Sequence, residues 1–168
     1  ITCLFEDSKK QLWIGTNKGL SLYDRKMDRF LPMDHARYYV KKIYELKDGQ
    51  LLIASPEGLF IYNPTKRISK QVNQTLAILD MLWDSKGRLW LATFQGLALM
   101  NINDFNFRMI DTNNDGNTSG IDIIFSLYED SNGIIWIGTN SDGLKYLSFG
   151  EANTDKFKIG TYHSSPNN

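Results

Sequence analysis

Apolar and polar positions alternate in short runs along this chain, and the runs recur in the same order four times. The first run of each set covers residues 1–6, 40–45, 78–83 and 124–129. A polar turn follows, centred on Ser8-Lys9-Lys10, Lys47-Asp48-Gly49, Ser85-Lys86-Gly87 and Ser131-Asn132-Gly133. The second run is best preserved in Gln11-Leu12-Trp13-Ile14-Gly15-Thr16-Asn17-Lys18-Gly19-Leu20. It returns as Leu51-Leu52-Ile53-Ala54-Ser55-Pro56-Glu57-Gly58-Leu59, as Leu89-Trp90-Leu91-Ala92-Thr93-Phe94-Gln95-Gly96-Leu97, and as Ile135-Trp136-Ile137-Gly138-Thr139-Asn140-Ser141-Asp142-Gly143-Leu144. A third run starts directly after the glycine, as in Leu20-Ser21-Leu22-Tyr23 and Leu59-Phe60-Ile61-Tyr62. A fainter fourth lies near Arg29-Phe30-Leu31, Arg67-Ile68-Ser69, Phe107-Arg108-Met109 and Phe157-Lys158-Ile159.

Runs of this length, rich in β-branched and aromatic residues and divided by Gly, Asn and Asp turns, predict strands. From Trp13 the steps to Leu52, Trp90 and Trp136 are 39, 38 and 46 residues, and no helical period appears within them. A period near forty with four strands per unit predicts an all-β fold. The units are four-stranded antiparallel blades of a β-propeller. A parallel β-solenoid would need shorter coils. One domain over residues 1–168 is expected, with blades at 1–39, 40–76, 77–120 and 121–163.

Two columns say how the blades stack. Gly15, Ala54, Ala92 and Gly138 are always small, which suits close approach between sheets. The preceding column, Ile14, Ile53, Leu91 and Ile137, is always aliphatic and is expected to fill the space between sheets. Trp13, Trp90 and Trp136 share a face with the small residues and are expected to pack over them, sealing one sheet on the next. Thr16, Ser55, Thr93 and Thr139 bring a hydroxyl to bond turn backbone, and the invariant turn glycine implies a positive φ.

Composition narrows the function classes. Lys plus Arg and Asp plus Glu both number 19, so the net charge is zero and there is no basic stripe of the kind a nucleic-acid interface needs. No run of apolar residues is long enough to span a membrane. The chain opens in mid-pattern and reads as a piece of something larger. Its one cysteine, Cys3, excludes an internal disulfide and reads as a buried small hydrophobe rather than a reactive thiol.

The unit (I/V)xx(I/L)xEDxxGxLWIGTxxGLxxYD resembles the two-component regulator propeller repeat, closely so over residues 1–24 and 124–147. The second copy departs from it, with Leu52 for Trp and Leu46 for the Asp found at Asp7, and the third has Trp83-Asp84 in place of Glu-Asp. The resemblance implies the periplasmic sensor region of a hybrid two-component histidine kinase anchored in the inner membrane. It implies a seven-bladed propeller, a homodimeric parent, a phosphorelay and a DNA-binding output region. It also implies an oligosaccharide ligand whose detection controls genes for polysaccharide utilisation. None of the kinase or output motifs lies in these 168 residues.

Strand parity then places a binding face. In an up-and-down sheet the turn between strands two and three lies at the same end as the connection between blades. Those turns are Asn17-Lys18, Pro56-Glu57, Phe94-Gln95 and Asn140-Ser141-Asp142, and the connectors include His35-Ala36-Arg37-Tyr38-Tyr39 and Asn73-Gln74-Thr75. Aromatic planes beside amides, guanidinium and carboxylate suit a sugar, whose ring has an apolar face and a rim of hydroxyls. The candidate ligand residues are His35, Arg37, Tyr38, Phe94, Gln95, Asn140 and Asp142. The turns between strands one and two are a plain solvated rim.

Asp111-Thr112-Asn113-Asn114-Asp115-Gly116, with Asp122 twelfth, has the spacing of a calcium loop. Asp111, Asn113, Asp115 and Asp122 would be its ligands, against the plainer reading of a long inter-blade connector; no other cofactor is implied. His35 and His163 lie far apart in loops with no catalytic constellation, so no enzymatic activity is expected of this segment. A propeller scaffold for protein–protein contact is the alternative function, ahead of a propeller lyase or glycosidase.

Overall fold

A computed structural model describes residues 1–112, 122–149 and 157–162 of the chain. Its first eight strands are β1 (Cys3–Glu6), β2 (Leu12–Thr16), β3 (Gly19–Asp24), β4 (Arg29–Pro32), β5 (Lys42–Glu45), β6 (Leu51–Ser55), β7 (Gly58–Asn63) and β8 (Ile68–Asn73). The remaining strands are β9 (Ile78–Trp83), β10 (Leu89–Thr93), β11 (Gly96–Met100), β12 (Phe107–Ile110), β13 (Ile124–Glu129), β14 (Ile135–Thr139), β15 (Leu144–Phe149) and β16 (Phe157–Tyr162). They form four antiparallel sheets of four strands, each in chain order, so every sheet is one copy of the repeat. The chain divides into two compact units, Ile1–Leu79 and Asp80–Asn168.

Burial falls from the inner strands to the outer one. All five residues of β6 and all five of β10 are buried, whereas neither β4 nor β8 has a buried residue. That gradient is why the fourth run is faint in the sequence. A strand bathed in solvent on its outer side needs no strict apolar period.

Within the first unit, Trp13, Leu20 and Met33 of the first sheet meet Ile43, Leu51, Ile53, Phe60 and Tyr62 of the second in one core. The Trp13 indole stands edge-on to the Tyr62 ring, with centroids 5.8 Å apart. The second unit repeats the arrangement. Trp90, Ala92 and Leu97 pack with Ile124, Leu127, Ile135, Ile137 and Leu147, and Trp90 lies 6.2 Å from both Phe149 and Phe157. The aliphatic column therefore faces the preceding sheet through Ile53 and Ile137, and the tryptophan face meets the following one. On the fourth sheet that face carries half-buried Trp136 and Tyr146, with Tyr128 67% and Tyr162 56% exposed.

One expectation about the tryptophans changes. A Cβ built on Gly15 would lie 2.6 Å from Val40 Cγ1 and 2.5 Å from Cys3 Sγ, so the small column is filled by the next connector and by a neighbouring strand. Trp13 does not lie over it. Its indole turns instead toward the polar turn, where Nε1 donates to Asp7 Oδ2 at 2.9 Å.

This bond is the centre of a repeated clamp. Asp7 Oδ1 also accepts from the amides of Lys9 and Gln11 at 2.9 and 2.8 Å. Asp84 does the same with Lys86, Arg88 and Trp90 Nε1 at 3.0, 2.8 and 2.8 Å. Asp130 does so with Asn132, Ile134 and Trp136 Nε1 at 2.9, 3.0 and 2.9 Å. One carboxylate thus folds the turn and orients the indole. The Trp136 bond, first among its causes, holds the Asp130 carboxyl below its ordinary range. The second repeat has lost both partners together, with Leu46 at the Asp position and Leu52 at the Trp.

A second clamp joins adjacent sheets within each unit. Ser8 donates through N and Oγ to the Glu45 carboxylate, both at 2.7 Å. Ser85 does so to Glu129, at 2.7 and 2.6 Å. The fork geometry uses both carboxylate oxygens, so it fixes direction as well as distance. The turns between strands one and two are therefore structural.

Candidate functional site

The opposite end of the sheets is built from the turn after the second strand and the connector to the next sheet. Thr16 Oγ1 donates to the Gly19 carbonyl at 2.9 Å and accepts from the Lys18 amide at 3.0 Å. Thr93 repeats this with Gly96 and Gln95 at 2.7 and 3.0 Å, and Thr139 with Gly143 and Asp142 at 2.8 and 3.1 Å. Ser55 accepts from the amide of Glu57, at 3.0 Å. The hydroxyl column caps these turns as its position predicts.

The turn glycines have a second duty besides conformation. Gly19 and Gly58 sit at φ 135° and 130°, and a Cβ on either would strike a connector carbonyl, that of Ala36 or of Asn73. The connector is pulled onto the turn at the same spot, with the Leu20 amide donating to Ala36 O at 3.0 Å and Val40 N to Thr16 O at 3.0 Å. In the second unit Asn140 N donates to Ile123 O at 2.9 Å. Turns and connectors thus make one face in each unit, on which side chains between the fixed Thr/Ser and Gly are held outward.

Of the candidate ligand residues in the first unit, His35 and Arg37 are exposed, and Arg37 pairs with Asp34 at 3.2 Å. Tyr38 is placed otherwise. Its ring is stacked on Phe60 at 3.8 Å and 10°, and its hydroxyl bonds Ser69 Oγ at 2.9 Å. Burial pushes that hydroxyl up to about 12. Tyr38 is thus a wedge between two sheets, and the ring beside it on the surface is Tyr39. Lys41 Nζ lies 4.7 Å over the Tyr39 ring, and Glu57 Oε1 accepts from the Tyr39 amide at 3.3 Å. A ring flanked by an ammonium and a carboxylate has the chemistry expected of Tyr38. The signal was the doubled tyrosine, of which only one can fill the seam.

In the second unit Phe94 is 42% exposed with Gln95 beside it, and Asn140 and Asp142 are exposed on the β14–β15 turn. Behind that turn lies a group the sequence did not signal. Lys145 is 3% exposed, with its ammonium 2.7 Å from Asp142 and 3.9 Å from Asp122, and it donates to Thr112 O at 3.4 Å. Ser141 donates to Asp122 Oδ1 through N and Oγ at 3.3 and 3.1 Å. A buried lysine on β15 thus anchors the turn that presents Asn140. Of the calcium candidates, Asp111 and Asp122 are described, while Asn113 and Asp115 lie outside the described residues. The cation facing Asp122 here is the Lys145 ammonium. Among the described residues no three His, Cys, Asp or Glu side chains gather as metal ligands.

Comparisons with known proteins fit this scaffold. No curated protein matches the sequence. Among solved structures, the chain is similar to the extracellular domain of BT3049 from B. thetaiotaomicron, assigned to a hybrid two component system. It has 21% identity and a TM-score of 0.71, over 98% of this chain and 22% of that one. The extracellular domain of BT4673 from the same organism matches at 22% identity and a TM-score of 0.72, over 89% and 21%. PorZ of Porphyromonas gingivalis, a bacterial surface component of the type-IX secretion system, matches at 16% identity and a TM-score of 0.58, over 82% and 23%. The chain spans about a fifth of the length of these proteins. The fold is that of β-propeller blades. The sequence matched as two component regulator propeller is residues 1–18, 74–95 and 119–141, which leaves out the repeat that lost Asp and Trp together. These three stretches, under half of the chain, are similar to the two component regulator propeller repeat.

Proposed function

We propose that the chain is a ligand-sensing segment of an extracytoplasmic propeller in a membrane-anchored hybrid two-component receptor. The ligand is an oligosaccharide, the compartment is the periplasm, and the output is transcription of genes for polysaccharide use. The observation that carries this reading is the contrast between the two ends of the sheets. At one end the carboxylates of Asp7, Asp84, Asp130, Glu45 and Glu129 are tied up in the Asp–Trp and Ser–Glu clamps. At the other, Arg37, Tyr39, Glu57, Phe94, Gln95 and Asn140 vary from blade to blade on fixed turns, which is how a rigid scaffold carries recognition. The match to the two component regulator propeller model and the likeness to extracellular domains of hybrid two component systems support the sensor role.

The test is a glycan array probed with the intact receptor ectodomain, followed by incubation with whatever binds. Binding without turnover is expected, and turnover would sink the reading in favour of a propeller enzyme. A glycan-blind ectodomain that forms a stable protein complex would instead establish a propeller scaffold.

A further inference from the structure

At the outer rim of the first unit a cleft of about 210 Å³ runs between the end of β4 and the β7–β8 turn. Pro32, Met33, Asp34 and His35 line one side, and Lys66, Arg67 and Ile68 the other. The clamps use none of these groups, and of the turn-and-connector candidates only His35 also lines this cleft. The lining is amphipathic, and its charge is lopsided. The one carboxylate, Asp34, is engaged by Arg37 at 3.2 Å, while among the described residues His35, Lys66 and Arg67 form no ion pair. Two cations and an imidazole therefore line a small space whose single carboxylate is already paired with Arg37, which leaves an excess of positive charge.

Two further observations point the same way. Arg67 holds a left-handed backbone, φ 54°, at a position where the first repeat has Asp28 with φ 48°. Aspartate tolerates that conformation far better than arginine, so the arginine is carried against a backbone preference. The Tyr62 hydroxyl is buried, and among the described residues it has no hydrogen-bond partner. Burial pushes it up, and the charges of Arg67 and Asp34 both act on it, so it lies within electrostatic reach of the cleft lining.

We infer that this rim cleft binds a small organic carboxylate of up to monosaccharide size. The carboxylate is held by Arg67 and Lys66, and the apolar face rests on Met33 and Ile68. The inference does not depend on the oligosaccharide reading, which concerns the turn-and-connector face.

The experiment is calorimetric titration of the full chain with sodium glucuronate, with glucose, acetate and inorganic phosphate as parallel probes. Glucuronate should bind with a Kd on the order of 1 mM, and the other three at least about tenfold more weakly. Arg67→Asn removes the charge but suits a positive φ, so a failure to fold cannot explain its effect. It should weaken glucuronate by about tenfold or more, the loss expected of one charge-assisted bond. Equal binding of glucose would overturn charge recognition, and equal binding of acetate or phosphate would overturn the size and shape argument. No binding of glucuronate, or full binding by the Arg67→Asn chain, would overturn the site itself. Loss of oligosaccharide binding elsewhere, with glucuronate binding intact, would leave this inference standing and defeat only the sensor reading.

Discussion

Asp84 and Trp90 offer the sharpest test of how the repeat is held together. Trp90 is fully buried, and its indole N–H reaches Asp84 Oδ2 at 2.8 Å. Replacing Trp90 by Phe removes that donor from a buried carboxylate, which costs about 1.5–3 kcal/mol, with about 1–2 kcal/mol more for the cavity left by the smaller ring. Asp84→Ala is harsher. It strips an acceptor from the amides of Lys86 and Arg88, from the indole, and from the Arg88 guanidinium at 2.6 Å. About 3–5 kcal/mol is expected for that loss. Because both variants break the same bond, the double variant should be less damaging than their sum by about 1.5–3 kcal/mol. Urea unfolding of the four proteins, followed by far-UV circular dichroism, measures the cycle. Nature has run a version of it in the second repeat, where Leu46 and Leu52 stand in place of the pair. Additivity to within about 0.5 kcal/mol would refute the claim that the carboxylate and the indole act as one unit.

Other substitutions test neighbouring parts of the account. Gly15→Ala drives a methyl to 2.6 Å from Val40 Cγ1, so the same urea assay should show a loss of about 1–3 kcal/mol. Lys10 has φ 63° at a turn position where the other repeats have Gly49, Gly87 and Gly133, so Lys10→Gly should raise the unfolding free energy from the same urea assay by about 0.5–1 kcal/mol. The hydroxyl of Tyr38 is raised in the fold to about 12 from its ordinary value of 10. Its neutral form is favoured by folding, so this contribution is complete below pH 10 and lost as pH rises toward 12. Tyr38→Phe should flatten the alkaline stability curve by about 2–3 kcal/mol relative to the parent, and parallel curves would count against the burial argument.

Much of the scaffold was written in local residue order. The Trp-x-Gly/Ala-Thr/Ser string and its turn glycine mark the second strand and its cap because strand, cap and turn are neighbours in sequence. The Asp–Trp clamp left a local trace, the joint loss at Leu46 and Leu52 six residues apart, but strand parity alone pointed the indole at the small column instead. The Ser–Glu clamp was not, because its partners lie 37 and 44 residues apart and meet only once two sheets are stacked. Tyr38 and Tyr39 show a different limit. Period-two alternation is suspended in a connector, so nothing local says which ring enters the seam. Lys145 shows a third limit, since its burial depends on Asp122 and Asp142 arriving from a connector and a turn.

Hydrogen exchange on the intact ectodomain, with and without the glycan selected on the array, tests the central claim most directly. Protection is expected at the turns spanning 16–19, 55–58, 93–96 and 139–143 and at connector residues 35–39, with no change at 8–10, 47–49, 85–87 and 131–133. Protection confined to that second set, or a bound glycan that protects neither, would contradict the division of the blades into a structural end and a recognition end.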